Sequence, residues 1–105
     1  DGYHRVLSNR AWMGIGGQRA PVAGLICMDQ TLVRLPEGRE LHPGDEVVVF
    51  GAGGTGEPTL PQLADLAETI PYELATAVSS RVPRWFIRGG QIVAVEDLAG
   101  LHKIT

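Results

Sequence analysis

The chain has 105 residues, of which 44% are hydrophobic and 20% are charged, and its formal net charge is −3. This balance is typical of one soluble domain, which we expect to span residues 1–105, and no apolar run is long enough to cross a membrane. Because the sequence holds no basic block and no interleaved aromatic residues, it does not predict nucleic-acid binding.

The chain contains one cysteine, Cys27, which cannot form an internal disulfide. This indicates a reducing compartment, and we expect the protein to be cytoplasmic. Cys27 lies inside an apolar run, which predicts a buried, unreactive thiol. The three histidines are scattered along the chain without the spacing of metal ligands, so we expect no metal site. The first residue is Asp1 rather than Met, which fits a fragment or a processed product.

The first half of the chain predicts short strands separated by turns. Gly16 and Gly17 follow an apolar segment and predict a hairpin turn, because glycine readily adopts a positive φ. A loop rich in proline, glycine and charged residues covers residues 36–44. The predicted strands are 5–9, 11–15, 21–28, 31–35 and 46–50.

The second half begins with a helical period. Thr59 and Gln62 predict a capping box, and apolar residues repeat at helical spacing up to residue 67. Pro71 should interrupt the helix at Ile70, and a second short helix is predicted at 72–79. A closing hairpin follows, with strands 84–88 and 91–95 joined by two glycines and a final turn at 96–99.

Many short strands with glycine turns favour a closed sheet over a doubly wound α/β fold. We therefore predict a mainly β domain, a small closed Greek-key-like β-barrel with a short helical pair inserted near residues 60–79.

Considered one at a time, the polar residues do not define an active site. The glycine-rich loop 51–58 lacks the Lys-Ser/Thr pair of a phosphate-binding P-loop, which favours a flexible connection. Asp29, at a predicted strand end, fits a turn-capping carboxylate or a group facing a site. Tyr72 fits a packing residue or a phenol that helps hold a phosphate. Arg81 and Arg84 fit surface charges or interface partners.

Five segments, taken together and in order, resemble the alanine racemase family over nearly the whole chain. The two most specific are segment 21–30, which ends in Met-Asp-Gln, and segment 66–74, which contains Thr-Ile-x-Tyr-Glu. The others are the opening Asp-Gly-x-x-Arg of residues 1–5, the strand at residues 44–51 and the Arg-Val-Pro-Arg of residues 81–84.

This resemblance implies a two-domain enzyme in which an N-terminal α/β barrel carries pyridoxal 5'-phosphate on a lysine. It implies a head-to-tail homodimer, in which this C-terminal domain contacts the barrels of its own and the second subunit. The implied activity is interconversion of L- and D-alanine for peptidoglycan synthesis. The cofactor ring acts as an electron sink while two bases exchange the Cα proton.

The resemblance also assigns roles to particular residues. The backbone N–H of Met28 corresponds to a donor that holds the substrate carboxylate in the partner's site, and Asp29 lines the same pocket. Tyr72 corresponds to a tyrosine that donates to the cofactor phosphate. Arg5 and Ile70 correspond to residues around the entrance to the site.

The catalytic groups themselves have no counterpart in this sequence. The cofactor lysine and the tyrosine base correspond to positions outside it, and Lys103 is the only lysine present. Tyr3 matches a variable position. We therefore predict no catalytic residue in the chain and no activity of the chain alone. Leu25 stands where several relatives carry a charged residue, which leaves the preferred amino acid open.

Two other functions remain open from the sequence. One is a racemase for serine, lysine or a broad range of amino acids, and the other is a free-standing, non-catalytic β-barrel binding module. A domain that covers a partner's barrel should expose apolar side chains when it is alone. The residues expected at the edge of such a surface are Leu25, Met28, Ile70 and Tyr72.

Overall fold

The first sheet forms around the predicted glycine turn. In the computed structural model, which describes residues 1–104, strands β1 (Trp12–Ile15) and β2 (Gln18–Pro21) form an antiparallel hairpin. Gly16 and Gly17 join them with φ values of 58° and 78°, the positive range that glycine adopts without steric cost. The prediction of this turn is confirmed. Strand β3 (Val47–Val48) pairs with the other edge of β1, giving the order β2-β1-β3.

The second sheet is built by the C-terminal part of the chain. Strands β4 (Arg84–Arg88) and β5 (Gln91–Asp97) pair across a second two-glycine turn, as predicted. The turn predicted at 96–99 is shorter, because β5 continues to Asp97. Strand β6 (Gly100–Lys103), which the sequence did not predict, then pairs with β5.

The prediction of a closed barrel is wrong. Residues 1–104 form two separate, open, three-stranded antiparallel sheets, with the orders β2-β1-β3 and β4-β5-β6. The strands predicted at 21–28 and 31–35 contribute only an isolated bridge between Val22 and Val33. Without these two strands, nothing in the described chain continues either sheet towards the other.

The helical pair lies between the two sheets in sequence, as predicted. Helix α1 (Leu60–Leu66) begins with the predicted capping box, in which Thr59 accepts from the Gln62 N–H and the Gln62 side chain accepts from the Thr59 N–H. Helix α2 (Pro71–Ala77) begins directly after Ile70, which has an extended backbone. Helix α2 ends two residues earlier than predicted.

A single buried cluster joins the start of the chain to the helices. The segment predicted as strand 5–9 is instead a 3-10 turn over Arg5–Leu7, followed by a bend in which Asn9 has a φ of 58°. This turn directs Leu7, which is 0% exposed, into the core. The cluster consists of Leu7, Ala11, Val22, Ile26, Leu63, Ala64 and Leu74.

Within residues 1–104, no helix has the length and apolar character needed to cross a membrane.

Candidate functional site

Residues 22–33 form an irregular hairpin with Met28 and Asp29 at its tip. The N–H of Cys27 donates to the carbonyl oxygen of Gln30 over 3.0 Å, so the chain reverses direction across the two residues between them. Nearer the sheet, the N–H of Ala23 donates to the carbonyl oxygen of Leu32 over 2.8 Å. The hairpin therefore presents Met28 and Asp29 at the point farthest from its paired base.

Side chains from the preceding bend hold this hairpin in place. The hydroxyl of Ser8 accepts a hydrogen bond from the N–H of Ile26 over 2.9 Å, and the amide oxygen of Asn9 accepts one from the N–H of Gly24 over 2.7 Å. These two backbone donors are consequently unavailable to a neighbouring strand. This explains why an apolar run that predicts a strand forms an irregular segment instead.

The tip exposes both residues to which the family resemblance assigns substrate binding. Met28 is 85% exposed, and Asp29 is exposed as well. No backbone carbonyl within residues 1–104 accepts the N–H of Met28. A main-chain donor held on a tethered turn has a fixed direction and carries no charge. It is therefore suited to receive a carboxylate from a ligand outside this domain.

A cavity of about 530 Å³ lies behind the tip, between the hairpin, the start of the chain and the helices. Met28 and Asp29 line it together with apolar residues of the core, among them Leu7 and Leu74. The Tyr3 hydroxyl is shielded from solvent here and has no hydrogen-bond partner within residues 1–104. Burial raises the pKa of Tyr3 to about 12, so this phenol stays protonated at neutral pH.

Tyr72 stands apart from this cavity, near the start of α2. Its side chain is 77% exposed, whereas Leu74 two residues later is buried against the core. The hydroxyl of Thr69 donates to the carboxylate of Glu73 over 2.6 Å, which fixes the turn that precedes the helix. The local structure thus directs the phenol outward, which the interpretation of Tyr72 as a packing residue did not predict.

The remaining residues of the predicted entrance are also on the surface. Arg5 lies in the 3-10 turn and is exposed, and Ile70 is exposed just before α2. The structure brings Met28 and Asp29 together at one cavity, but Arg5, Ile70 and Tyr72 do not line it. Leu25 is exposed too, so all four side chains expected at an apolar edge are accessible.

The prediction of a buried Cys27 is wrong. The thiol is free and exposed, because Cys27 directly precedes the tip of the hairpin rather than lying in the middle of a strand. Among residues 1–104 there is no group of three histidine, cysteine or acidic side chains placed to hold a metal ion.

Sequence analysis also missed the carboxylate of Glu57, which organises the glycine-rich loop 51–57. Glu57 is 7% exposed, and it accepts hydrogen bonds from the Thr55 hydroxyl, the Thr55 N–H and the Gly53 N–H at 2.5–3.0 Å. The Thr55 hydroxyl, followed by backbone donors, lowers the pKa of Glu57 to about 2. The loop packs on β1 so closely that a Cβ at Gly14 would lie 2.6 Å from the Thr55 carbonyl oxygen. The signal in the sequence was an acidic residue beside several glycine N–H groups.

Comparison with known protein families gives a match over most of the chain. The family model described as "Alanine racemase, C-terminal domain" matches residues 1–86, most of the chain. The chain belongs to the alanine racemase C-terminal domain family. The family resemblance drawn from the Met-Asp-Gln and Thr-Ile-x-Tyr-Glu motifs is confirmed.

Whole racemases that contain this domain are much longer than the chain. The alanine racemase of Symbiobacterium thermophilum is 50% identical to it over 91 residues, which are 87% of this chain and 24% of that protein. The chain therefore spans about a quarter of the length of such a relative.

Solved structures agree with the sequence match. The alanine racemase of Bacillus anthracis with bound L-Ala-P superposes with a TM-score of 0.83 at 35% identity, covering 94% of this chain and 25% of that one. The alanine racemase of Bartonella henselae, solved with covalently bound pyridoxal phosphate, has a TM-score of 0.67 at 29% identity. That match covers 75% of this chain and 22% of the Bartonella protein.

Proposed function

We propose that this chain is the C-terminal domain of a pyridoxal-phosphate-dependent alanine racemase, a cytoplasmic homodimer that interconverts L- and D-alanine for peptidoglycan synthesis. In this proposal, the domain contacts the cofactor-bearing barrel of its own subunit and completes the site on the barrel of the second subunit. The observation that carries the proposal is the tip of hairpin 22–33, where the exposed Met28 has an N–H that no backbone carbonyl of the described chain accepts.

The proposed role of the tip is to hold the substrate. A hydrogen bond from a backbone N–H to a carboxylate is charge-assisted, and it orients the amino acid without adding a charge to the site. Asp29 lies next to Met28 at the exposed tip, and we propose that it lines the same substrate pocket. Because Ser8 and Asn9 tether the hairpin, the donor direction is set before the substrate arrives, which lowers the entropic cost of binding.

The residues of this chain fit one end of the cofactor. A phosphate group needs hydrogen-bond donors, and the exposed phenol of Tyr72 on α2 supplies one. Lys103, the only lysine of the sequence, lies in β6, and we propose that a lysine of the barrel anchors the cofactor instead. When bound, pyridoxal phosphate supplies an electron sink for proton removal at the α-carbon. The proposed contribution of this chain is to orient the cofactor phosphate and the substrate carboxylate.

The surface around these groups is proposed to form the entrance to the site. Arg5 supplies a positive charge there, while Ile70 and Leu25 supply apolar surface. A small zwitterion such as alanine suits an entrance that combines one cation with short apolar contacts.

The first test is racemisation by the enzyme that contains this domain. The purified protein should carry pyridoxal phosphate, visible in its absorbance spectrum, and should convert L-alanine to D-alanine faster than it converts serine or lysine. Faster conversion of serine or lysine would show that one of these amino acids, and not alanine, is the preferred substrate. A protein without bound cofactor or racemisation would contradict the proposal and favour a binding module.

The chain offers a matched pair of variants, because Tyr3 and Tyr72 are its only tyrosines. We expect Tyr72→Phe to weaken cofactor retention, measured by dialysis and absorbance, because it removes a donor to the phosphate. Tyr3→Phe removes the same hydroxyl from a shielded position that faces the interior and should leave retention unchanged. Equal retention in both variants would contradict the role of Tyr72.

A further inference from the structure

The C-terminal end of helix α2 is held by an arginine from the start of β4. The guanidinium of Arg84 donates to the carbonyl oxygens of Val78, Ser79 and Val82 over 2.6–2.9 Å. These carbonyls belong to the C-cap residue Val78 and to the turn after it, so Arg84 ties the segment that leaves α2 to the start of β4.

The first two residues of the chain dock onto the same end of α2. A Cβ at Gly2 would overlap the carbonyl oxygen of Ala77, and Gly2 has a φ of 91°, so only glycine fits at this contact. Asp1 accepts two hydrogen bonds from Arg81, at 2.5 Å from Nε and 2.7 Å from Nη2. The Asp1 side chain is 14% exposed and the Arg81 side chain is 62% exposed, so the pair lies at the surface with its carboxylate covered and its geometry is two-pronged.

These contacts bear on Tyr72 because α2 is short. A helix of seven residues is not stable on its own, so tertiary contacts determine its position. Leu74 fixes one face of the helix in the core. The Tyr72 side chain is largely exposed and has little packing of its own, so the position of its hydroxyl follows the helix.

We propose that Asp1 and Arg81 form a positioning pair that, with Gly2, orients α2 and thereby places the Tyr72 hydroxyl for the cofactor phosphate. The inference rests on the proposed function, since it takes Tyr72 to be a phosphate ligand. Asp1 and Arg81 act only through the helix and touch neither the cofactor nor the substrate. Their effect should therefore depend on the phosphate group of the cofactor.

The test removes the cofactor from the full-length racemase and then measures its affinity for pyridoxal phosphate and for pyridoxal, which lacks the phosphate. Arg81→Gln should weaken binding of pyridoxal phosphate by about 3- to 10-fold, part of the loss expected when a hydrogen bond to a charged group is misplaced. It should leave the affinity for pyridoxal unchanged. Arg88→Gln, at an exposed arginine of β4, is the matched control and should change neither affinity.

A double-variant cycle shows whether the two residues act as a pair. Asp1→Asn should lower the ratio of the two affinities as Arg81→Gln does, and combining both changes should cost no more than either one alone. Arg81→Lys keeps the charge but loses the two-pronged geometry, so it should give a ratio of affinities between those of the parent enzyme and Arg81→Gln. It replaces Arg81→Gln in the test if that variant does not fold. Additive effects, or equal losses for the two cofactors, would overturn the inference.

The variant Tyr72→Phe separates this inference from the proposed function. If Tyr72→Phe does not lower the preference for pyridoxal phosphate over pyridoxal, Tyr72 is not a phosphate ligand, and both its proposed role and the positioning pair fail, while the proposed role of Met28 is unaffected. If Tyr72→Phe lowers that preference and Arg81→Gln does not, the proposed function stands and the positioning pair is wrong.

Discussion

The hydroxyl of Ser8 ties hairpin 22–33 to the bend that precedes β1. It accepts the N–H of Ile26 over 2.9 Å and donates to the carbonyl oxygen of Arg5 over 2.6 Å. In Ser8→Ala, the N–H of Ile26 loses its acceptor beside a core side chain that is almost completely buried. An unpaired donor in such a place costs about 1–3 kcal/mol of unfolding free energy.

Thermal denaturation, monitored by circular dichroism, measures this loss of stability. For a domain of this size, each kcal/mol corresponds to about 4–8 °C of melting temperature. Ser80→Ala makes the same chemical change at an exposed serine and should alter stability by no more than about 0.5 kcal/mol. Hydrogen exchange adds a local measure, because the Ile26 amide should lose protection in Ser8→Ala alone.

Equal melting temperatures of Ser8→Ala and Ser80→Ala, with the Ile26 amide still protected in Ser8→Ala, would contradict this role of the hydroxyl. That result would mean that the core holds the hairpin without the hydroxyl. It would also remove the explanation for the irregular backbone at residues 23–28.

Four further variants test the loop and the helix end. Gly14→Ala should destabilise the domain by about 1–3 kcal/mol, because its Cβ meets loop backbone. Gly54→Ala, whose Cβ would meet open space, should be neutral or slightly stabilising in the same melting experiment. The pKa of Glu57 is lowered to about 2, so its stabilisation is present above pH 4.5 and is lost as the pH falls towards 2. In urea unfolding, the free energy of unfolding of Glu57→Gln should therefore not show this loss between pH 4.5 and pH 2. Glu68 has a φ of 56° after α1, so Glu68→Gly should raise stability by about 0.5–1 kcal/mol in urea unfolding.

Local signals in the sequence predicted the helices and the glycine hairpins correctly. The capping box of Thr59 and Gln62 and the break before Pro71 depend on residues only a few positions apart. The turns at residues 16–17 and 89–90 depend on glycine alone. Each of these features is determined by its immediate neighbours, so the sequence was sufficient to identify it.

The errors arose where distant groups compete for the backbone. The apolar run 21–28 predicts a strand, but Ser8 and Asn9 accept two of its N–H groups. Without that strand the predicted barrel does not close. Strand β6 is exposed along its whole length and has little apolar alternation, so only its pairing with β5 defines it.

In the candidate site, too, the sequence predicted the local motifs but not the tertiary contacts. The motifs of the sequence predict Met28, Asp29 and Tyr72 as site residues, and the structure places all three on the surface. The sequence could not show that Met28 and Asp29 occupy a two-residue tip, or that Asp1 reaches Arg81, because both depend on tertiary contacts.

The central claim is that the backbone N–H of Met28 holds the substrate carboxylate, and Met28→Pro tests it most directly. Proline removes this N–H, which no backbone carbonyl of residues 1–104 accepts, whereas Met28→Ala keeps it. In the racemase, we expect Met28→Pro to raise the KM for L-alanine by about 10- to 150-fold, the equivalent of one hydrogen bond to a charged group. Met28→Ala should stay close to the parent enzyme. An equal KM in the two variants, with the fold intact, would show that this N–H does not bind the substrate.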